Sequence, residues 1–426
     1  MLKSLKLNGV GPVQGLEASF GERLNLITGD NGLGKSFLLD TVFWALTGTW
    51  PGGRIALPES NGKKEKPLIE YHLAGKKGPT KDLKKAEFSY HAQTWKRKPG
   101  RPVMPGLVIY AAIDGSFAVW DPARNYWRDL ATGEKEITDQ PRAYQFSPES
   151  LAKGLVEKDR TLCNGLIQDW VNWYYEYLQG TEESPFKYLK TVVAALSHPQ
   201  EPLDCDKPRQ VYIDDTRRFP TLKMPYGIVP FPHWSAGVRR VISFAYLLVW
   251  SWYEHQQAAR LRHETPTDQL ILIIDEIEAH LHPKWQRTIL PALLQVAAQL
   301  QSQLQIQIFT ATHSPLILAS TEPYFDNQKD KLFWFDLREK TVHFQEYPWA
   351  IQGDMVGWLT SEIFGLKQAR SRESEQAITA AEAFMRGDFR QLPKGLQTKE
   401  EIHAALVRCL PGLDPFWPRW IVEVNP

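Results

Sequence analysis

Leu24-Asn25-Leu26-Ile27-Thr28-Gly29-Asp30-Asn31-Gly32-Leu33-Gly34-Lys35-Ser36 decides how this chain folds. An apolar run that reads as a strand enters a glycine-rich turn, and the turn opens onto the helix-like Phe37 to Thr47. Set between a strand and a helix, the spacing Gly29-x4-Gly34-Lys35-Ser36 is that of a phosphate-binding loop. Glycines let backbone N–H groups turn inward around phosphate oxygens at a helix N-terminus. Lys35 then reaches the β- and γ-phosphates, and the Ser36 hydroxyl can ligate Mg²⁺. The expected nucleotide contacts are Asn31, Gly32, Gly34, Lys35, Ser36 and Phe37. Alone, the loop implies only a bound nucleoside triphosphate such as ATP.

Two further segments supply what a triphosphate site needs. Leu270-Ile-Leu-Ile-Ile274-Asp275-Glu276 places two acids at the end of an apolar strand, Asp275 to hold Mg²⁺ through its water shell and Glu276 to polarise the attacking water. Another apolar strand, Gln305 to Ala311, runs into Thr312-His313-Ser314-Pro315, where His313 can hydrogen-bond the γ-phosphate and the lytic water. In an open parallel sheet the carboxyl ends of the strands are where ligands bind. Trp234-Ser235-Ala236-Gly237 opens a long apolar helix to about Glu254. By physics alone it is a serine cap with a glycine in the first turn, a local anion site.

Together these four motifs resemble the ABC-class ATPases of the SMC, RecF and OLD type. The resemblance implies an α/β fold: a P-loop NTPase, ABC-type ATPase head with a mixed β core, a strand-rich insertion and a helical lobe. In that family the Ser-Gly signature of one subunit completes the ATP site of another. This implies roles in trans for Ser235 and Gly237, in a homodimer or a higher even-numbered oligomer. The signature departs from Leu-Ser-Gly-Gly-Gln, with Ala236 between Ser235 and Gly237 and Val238 after it. Gln145, in Ala143-Tyr-Gln145-Phe-Ser-Pro, takes the place of the family's Q-loop glutamine, with a role at both nucleotide and Mg²⁺. The run Glu278-Ala-His280-Leu-His282-Pro283 resembles the D-loop region, which makes His280 and His282 interface or packing residues rather than metal ligands. The residues after His313 show no Toprim nuclease pattern, and no heptad segment provides a coiled-coil arm. Compact heads of this kind look like ATPase subunits of bacterial anti-phage defence systems such as Septu, which pairs with a separate HNH nuclease. The function so implied is an ATP-hydrolysing switch for a partner effector.

The rest of the chain is read around these motifs. Residues 1–50 and 206–320 form the ATPase core, 51–145 a strand-rich, partly basic insertion, 146–205 a helical lobe, and 321–426 a C-terminal hairpin with helices. A further strand is read at Gln210 to Asp214, and helix over 353–390. The whole chain, 426 residues long, carries a formal net charge of only +1, so no global field marks a nucleic-acid or membrane binder. Locally, residues 61–101 hold twelve Lys/Arg against four acids, an excess of +8. Such a stretch can track a phosphate backbone by releasing counterions, or it can be a solvated hairpin. Tryptophans cluster at Trp170–Trp173 and Trp250–Trp252, as core packing or as a stacking platform. The three cysteines are far apart, giving neither a disulfide framework nor metal-ligand spacing, which fits a cytoplasmic protein. The apolar runs are too short to span a bilayer. Rival functions are a RecF-like DNA-binding repair ATPase, a transporter ATPase subunit, and a nuclease in its own right.

Overall fold

β1 (Leu2–Asn8) and β2 (Gly15–Ser19) pair antiparallel and lead into β3 (Leu24–Gly29), whose six residues are all buried; the loop then enters α1 (Lys35–Thr47). This computed structural model describes the chain apart from residues 14, 59–65, 76–77, 80–82, 98–104, 126–141, 181–183, 301–303 and 425–426. Next come β4 (Leu68–Gly75), β5 (Gly78–Pro79), β6 (Lys84–Ser89) and β7 (Thr94–Arg97), followed by β8 (Leu107–Ala111), β9 (Phe117–Trp120) and β10 (Tyr144–Phe146). A lobe then contains α2 (Pro148–Lys153), the hairpin of β11 (Leu155–Glu157) and β12 (Arg160–Cys163), α3 (Leu166–Leu178) and α4 (Pro185–Leu196). The antiparallel strands β13 (Asp204–Gln210), β14 (Arg218–Met224) and β15 (Gly227–Pro230) precede α5 (Ala236–Leu261). The first compact unit, Met1–Gly353, is completed by β16 (Gln269–Ile274), α6 (Pro283–Leu300), β17 (Gln305–Ala311), α7 (Pro315–Thr321), β18 (Lys331–Arg338) and β19 (Thr341–Tyr347).

Two sheets carry this unit. The antiparallel one has the order β2-β1-β4-β6-β7, with β5 on β4. The core sheet has the order β10-β9-β8-β16-β17-β3-β18-β19, and β8, β16, β17, β3 and β18 run mutually parallel. Ile274 pairs with Ala111 on one side and Thr310 on the other, and Thr310 pairs with Leu26. The carboxyl ends of four strands are thereby level, which brings the segments after them to one edge. The sheets are stitched by buried Gln307 of β17. Its Oε1 accepts the Leu2 N–H at 3.0 Å, while Nε2 donates to the carbonyls of Leu2 and Gly21 at 2.9 and 2.8 Å.

Several expectations are corrected. Residues 51–145 are not one insertion: β4 to β7 extend the sheet begun by β1 and β2, whereas β8 lies parallel beside β16 in the core. All five β8 residues are buried, so it shows no alternation that would separate it from a core strand. The boundary at 321 also moves, because β18 pairs in parallel with β3 and the first unit runs to Gly353. The strand placed at Gln210–Asp214 instead ends at Gln210, and Ile213 is fully exposed in the following turn. Within 353–390 the helix is broken between α8 (Met355–Thr360) and α9 (Arg372–Met385), with Gly365 at φ +64 in the gap. The second unit, Asp354–Pro426, adds α10 (Lys399–Cys409) and α11 (Phe416–Val424) around its own core of Ala381, Ile402, Leu406 and Trp420. Trp170, Trp173, Trp250 and Trp252 are all buried, so both clusters are packing.

Candidate active site

The loop between β3 and α1 has the backbone its sequence demands. Gly29 and Gly34 sit at φ +134 and +106, and a Cβ on them would lie 2.2 Å from the Phe335 carbonyl oxygen and 2.4 Å from Pro12. Only glycine fits both places. Lys35 is buried and turns its Nζ onto the carbonyls of Gly29 and Asp30, at 2.8 and 2.7 Å. Burial pulls its ammonium down to about 8, against the opposing pull of Glu276, Asp275, Asp30 and Glu278. Asn31 is exposed at the open end of the loop, with Gly32 beside it. The Phe37 ring packs against Gly11 and the core, so what Phe37 offers a phosphate is its backbone N–H.

Asp275 follows β16 directly and is buried, which pushes its carboxyl up, while a hydrogen bond from Ser36 pulls the other way. Its Oδ1 is shielded from solvent and has no hydrogen-bond partner among the described residues. A lone buried carboxylate oxygen beside a serine hydroxyl fits the water shell of Mg²⁺, and the loop N–H groups and Lys35 fit the phosphates of ATP.

Glu276 stands at φ +47, a left-handed conformation that costs a non-glycine residue on the order of 1 kcal/mol. Its Oε1 lies 3.6 Å from His313 Nε2. Burial, followed by the charge of Lys35, lowers the basicity of His313, and its imidazole also hydrogen-bonds the Gly29 carbonyl. The backbone around it is held from three directions. Thr312 N–H donates to the Ile27 carbonyl at 3.0 Å, His313 N–H to Glu278 Oε1 at 2.5 Å, and Ser314 Oγ to Gln286 Oε1 at 2.8 Å.

Ser235 caps α5, its Oγ accepting the Val238 N–H at 3.3 Å, and is exposed. Gly237 lies so close to the D-loop segment that a Cβ there would meet the His280 carbonyl oxygen at 2.6 Å. Ser235 and Gly237 line a surface cavity of about 480 Å³ with Tyr226, His280, His282 and Trp285. Among the described residues no hydrogen bond ties either one to the chain's own loop 29–36. His282 is exposed, and its Nδ1 accepts the Lys284 N–H at 3.2 Å at the start of α6.

Gln145, on edge strand β10, spends its Oε1 on the Gly52 N–H at 3.1 Å, and its Nε2 is buried without a partner among the described residues. No hydrogen bond brings it to Ser36 or Asp275 among those residues. Three residues that sequence reasoning did not assign adjoin the site. The Arg240 guanidinium donates to the carbonyls of Ala112, Ile113, Asp275 and Glu276 at 3.0 to 3.3 Å. Arg54 grips Asp40 of α1 through two bonds of 3.1 and 3.2 Å, Asp40 also accepts the Tyr110 hydroxyl at 2.6 Å, and the charge of Arg54 reaches Asp275. Glu278 is the third. Arg240 and Glu278 stand in or beside the motif segments, so proximity to the motif was the available signal.

A glycine-rich loop, a buried aspartate and a histidine that follow adjacent parallel strands, with a capped Ser-x-Gly helix in the same unit, give the arrangement of a P-loop nucleotide-binding fold. The chain resembles AAA-domain ATPases. Residues 4–96 match the family model described as AAA domain, and residues 226–319 match that described as AAA domain, putative AbiEii toxin, Type IV TA system. A Septu protein PtuA of Bacillus thuringiensis is 22% identical over 407 residues, covering 90% of this chain and 88% of that protein. A retron Vc95 probable ATPase of Vibrio cholerae serotype O1 biovar El Tor is 46% identical over 50 residues, 12% of this chain and 9% of that one. Among solved structures, the SMC head domain from Thermotoga maritima aligns with 82% of this chain and 99% of its own, at 12% identity and a TM-score of 0.41.

Of the basic stretch 61–101, Lys63, Lys64, Lys76, Lys77, Lys81, Lys98 and Arg101 lie outside the described residues. Lys85 is paired with Glu70, and Lys96 faces Glu87 across β6 and β7. Among the described residues, no helix is long and apolar enough to cross a membrane.

Proposed function

We propose that the chain hydrolyses ATP with Mg²⁺ and uses the nucleotide to close a head-to-head homodimer, whose state gates a partner effector. The observation that carries this reading is the meeting of Lys35, Ser36, Asp275, Glu276 and His313 at one sheet edge, while Ser235 and Gly237 stand exposed or half-buried without a tie to their own loop. Lys35 gives up two carbonyl partners for the β- and γ-phosphates, and Ser36 and Asp275 hold the magnesium ion. Glu276, 3.6 Å from His313, orients and polarises the attacking water. Such positioned general-base assistance contributes roughly 10² to 10⁴ in rate. His313, whose basicity burial lowers, can share a hydrogen bond with that water or the γ-phosphate. Ser235 and Gly237 of a second copy would cap the phosphates, and Gln145 would join the nucleotide and Mg²⁺ only after leaving Gly52.

The likeness to a Septu protein PtuA across nine tenths of the chain supports placing this switch in bacterial anti-phage defence, with a separate nuclease, of HNH type by analogy, as the effector. A RecF-like ATPase that contacts DNA through residues 61–101 is the second reading, favoured by their local charge. Glu276→Gln tests the first. It should bind Mg²⁺-ATP, lose turnover by about 10²-fold or more, and double its mass in solution on adding ATP. Unchanged turnover, or a mass indifferent to ATP, overturns the switch.

A further inference from the structure

Glu278 is used by none of the steps above, yet it lies between the two catalytic loops. It is three residues beyond Asp275 and half-buried, with Oε1 accepting the His313 N–H at 2.5 Å. Its Oε2 is buried with no partner among the described residues. The carboxyl therefore spends its hydrogen bonding on the turn that carries the switch histidine. Shielding a carboxyl from water costs stability unless its partners hold it, and it pushes the group toward the protonated form.

We propose that Glu278 is a positioning residue for hydrolysis: it fixes the backbone of His313 so that the imidazole stays beside Glu276. The geometry is a lever. β17 ends at Ala311, so only Thr312 separates the sheet from His313, and the imidazole's place is set by where the His313 N–H is anchored. With that anchor the ring stands 3.6 Å from Glu276 Oε1 and bonds the Gly29 carbonyl. Without it, Thr312 N–H on Ile27, Ser314 N–H on the Thr312 hydroxyl and Ser314 Oγ on Gln286 still hold the flanking residues, and His313 alone loses its backbone anchor. Because the bond needs only an oxygen acceptor, a carboxamide can replace the carboxyl. The inference rests on the ATPase reading for its catalytic consequence, but not for the anchor itself.

The test uses full-length protein with Glu278→Gln, Glu278→Ala, His313→Ala and the double alanine variant, read by Mg²⁺-ATP turnover and by amide exchange over residues 312–317. Glu278→Gln should stay within about threefold of the parent in turnover and exchange. Glu278→Ala should lose roughly 10- to 100-fold in kcat with KM little changed, and speed exchange at His313 by a similar factor. Added to His313→Ala, it should cost nothing further, because both remove one function. Multiplicative losses in the double variant, or a KM that moves with kcat, make Glu278 merely structural and overturn the proposal. So does unaltered exchange at His313. If Glu278→Ala fails to fold, loss of turnover in folded Glu278→Gln overturns it as well. A parent chain without turnover would sink the ATPase reading alone, since exchange would still decide the anchor.

Discussion

Replacing Gly237 with alanine adds one methyl group at the closest approach between the signature helix and the D-loop segment. The new carbon would start 2.6 Å from the His280 carbonyl oxygen, and reaching ordinary contact at 3.4 Å requires a separation of about 0.8 Å. His280 is at φ +64 and continues into α6, so most of that movement falls on the start of α5. Three residues further along, Arg240 bonds the Asp275 and Glu276 carbonyls at 3.0 and 3.3 Å, and a shift of this size takes both out of hydrogen-bonding range. Overpacking of this kind costs about 1–3 kcal/mol, and displacement of catalytic groups by around 1 Å can cost about 10²-fold in rate. Gly237→Ala should therefore unfold at lower denaturant and turn over ATP about 10- to 100-fold more slowly, while its own loop still binds nucleotide. Steady-state turnover, urea unfolding and binding of a fluorescent nucleotide measure the three quantities. Parental stability together with parental turnover would refute the close packing and the link to Glu276 at once.

Arg240→Met keeps the apolar stem but strips the donors from four carbonyls. It should cost roughly 1–3 kcal/mol in unfolding and lower turnover at least tenfold, and an unaffected rate would disconnect α5 from Glu276. Neutralising Lys66, Lys84, Lys96 and Arg97 should leave duplex-DNA affinity and its salt dependence unaltered under the switch reading. Under the RecF-like reading the log–log salt slope should shrink by about 0.9 for each DNA phosphate that the variant no longer neutralises, as a titration from low to high salt would show.

The parts of the site legible in the sequence are those in which a strand and the loop after it are contiguous. Leu24 to Ser36 and Leu270 to Glu276 each carry strand, turn and chemistry in one short window. What could not be read is long-range. Nothing in Leu107 to Ala111 announces that it runs parallel to a strand more than 150 residues later, because a fully buried strand has no alternation to betray its faces. The segment Lys331–Arg338 resembled a terminal hairpin since its partner β19 is adjacent in sequence, while its parallel partner β3 is not. Gln145 matched a local pattern, but the acceptor role it plays depends on Gly52, nearly a hundred residues earlier. Arg240 and Glu278 act on backbone atoms, whose positions no side-chain spelling records.

The pairing of β3 has a consequence during synthesis. Its two neighbours in the sheet are β17 and β18, so the strand feeding the phosphate loop has no partner until residues near 308 and 333 have been made. Phe335, whose carbonyl closes over Gly29, arrives later still. A ribosome carrying a nascent chain of this protein thus displays the phosphate-loop residues long before they can take their final shape. Under the proposed function nucleotide competence would come last, because a chain ending before Lys331 lacks β18 beside β3 and the Phe335 carbonyl over Gly29.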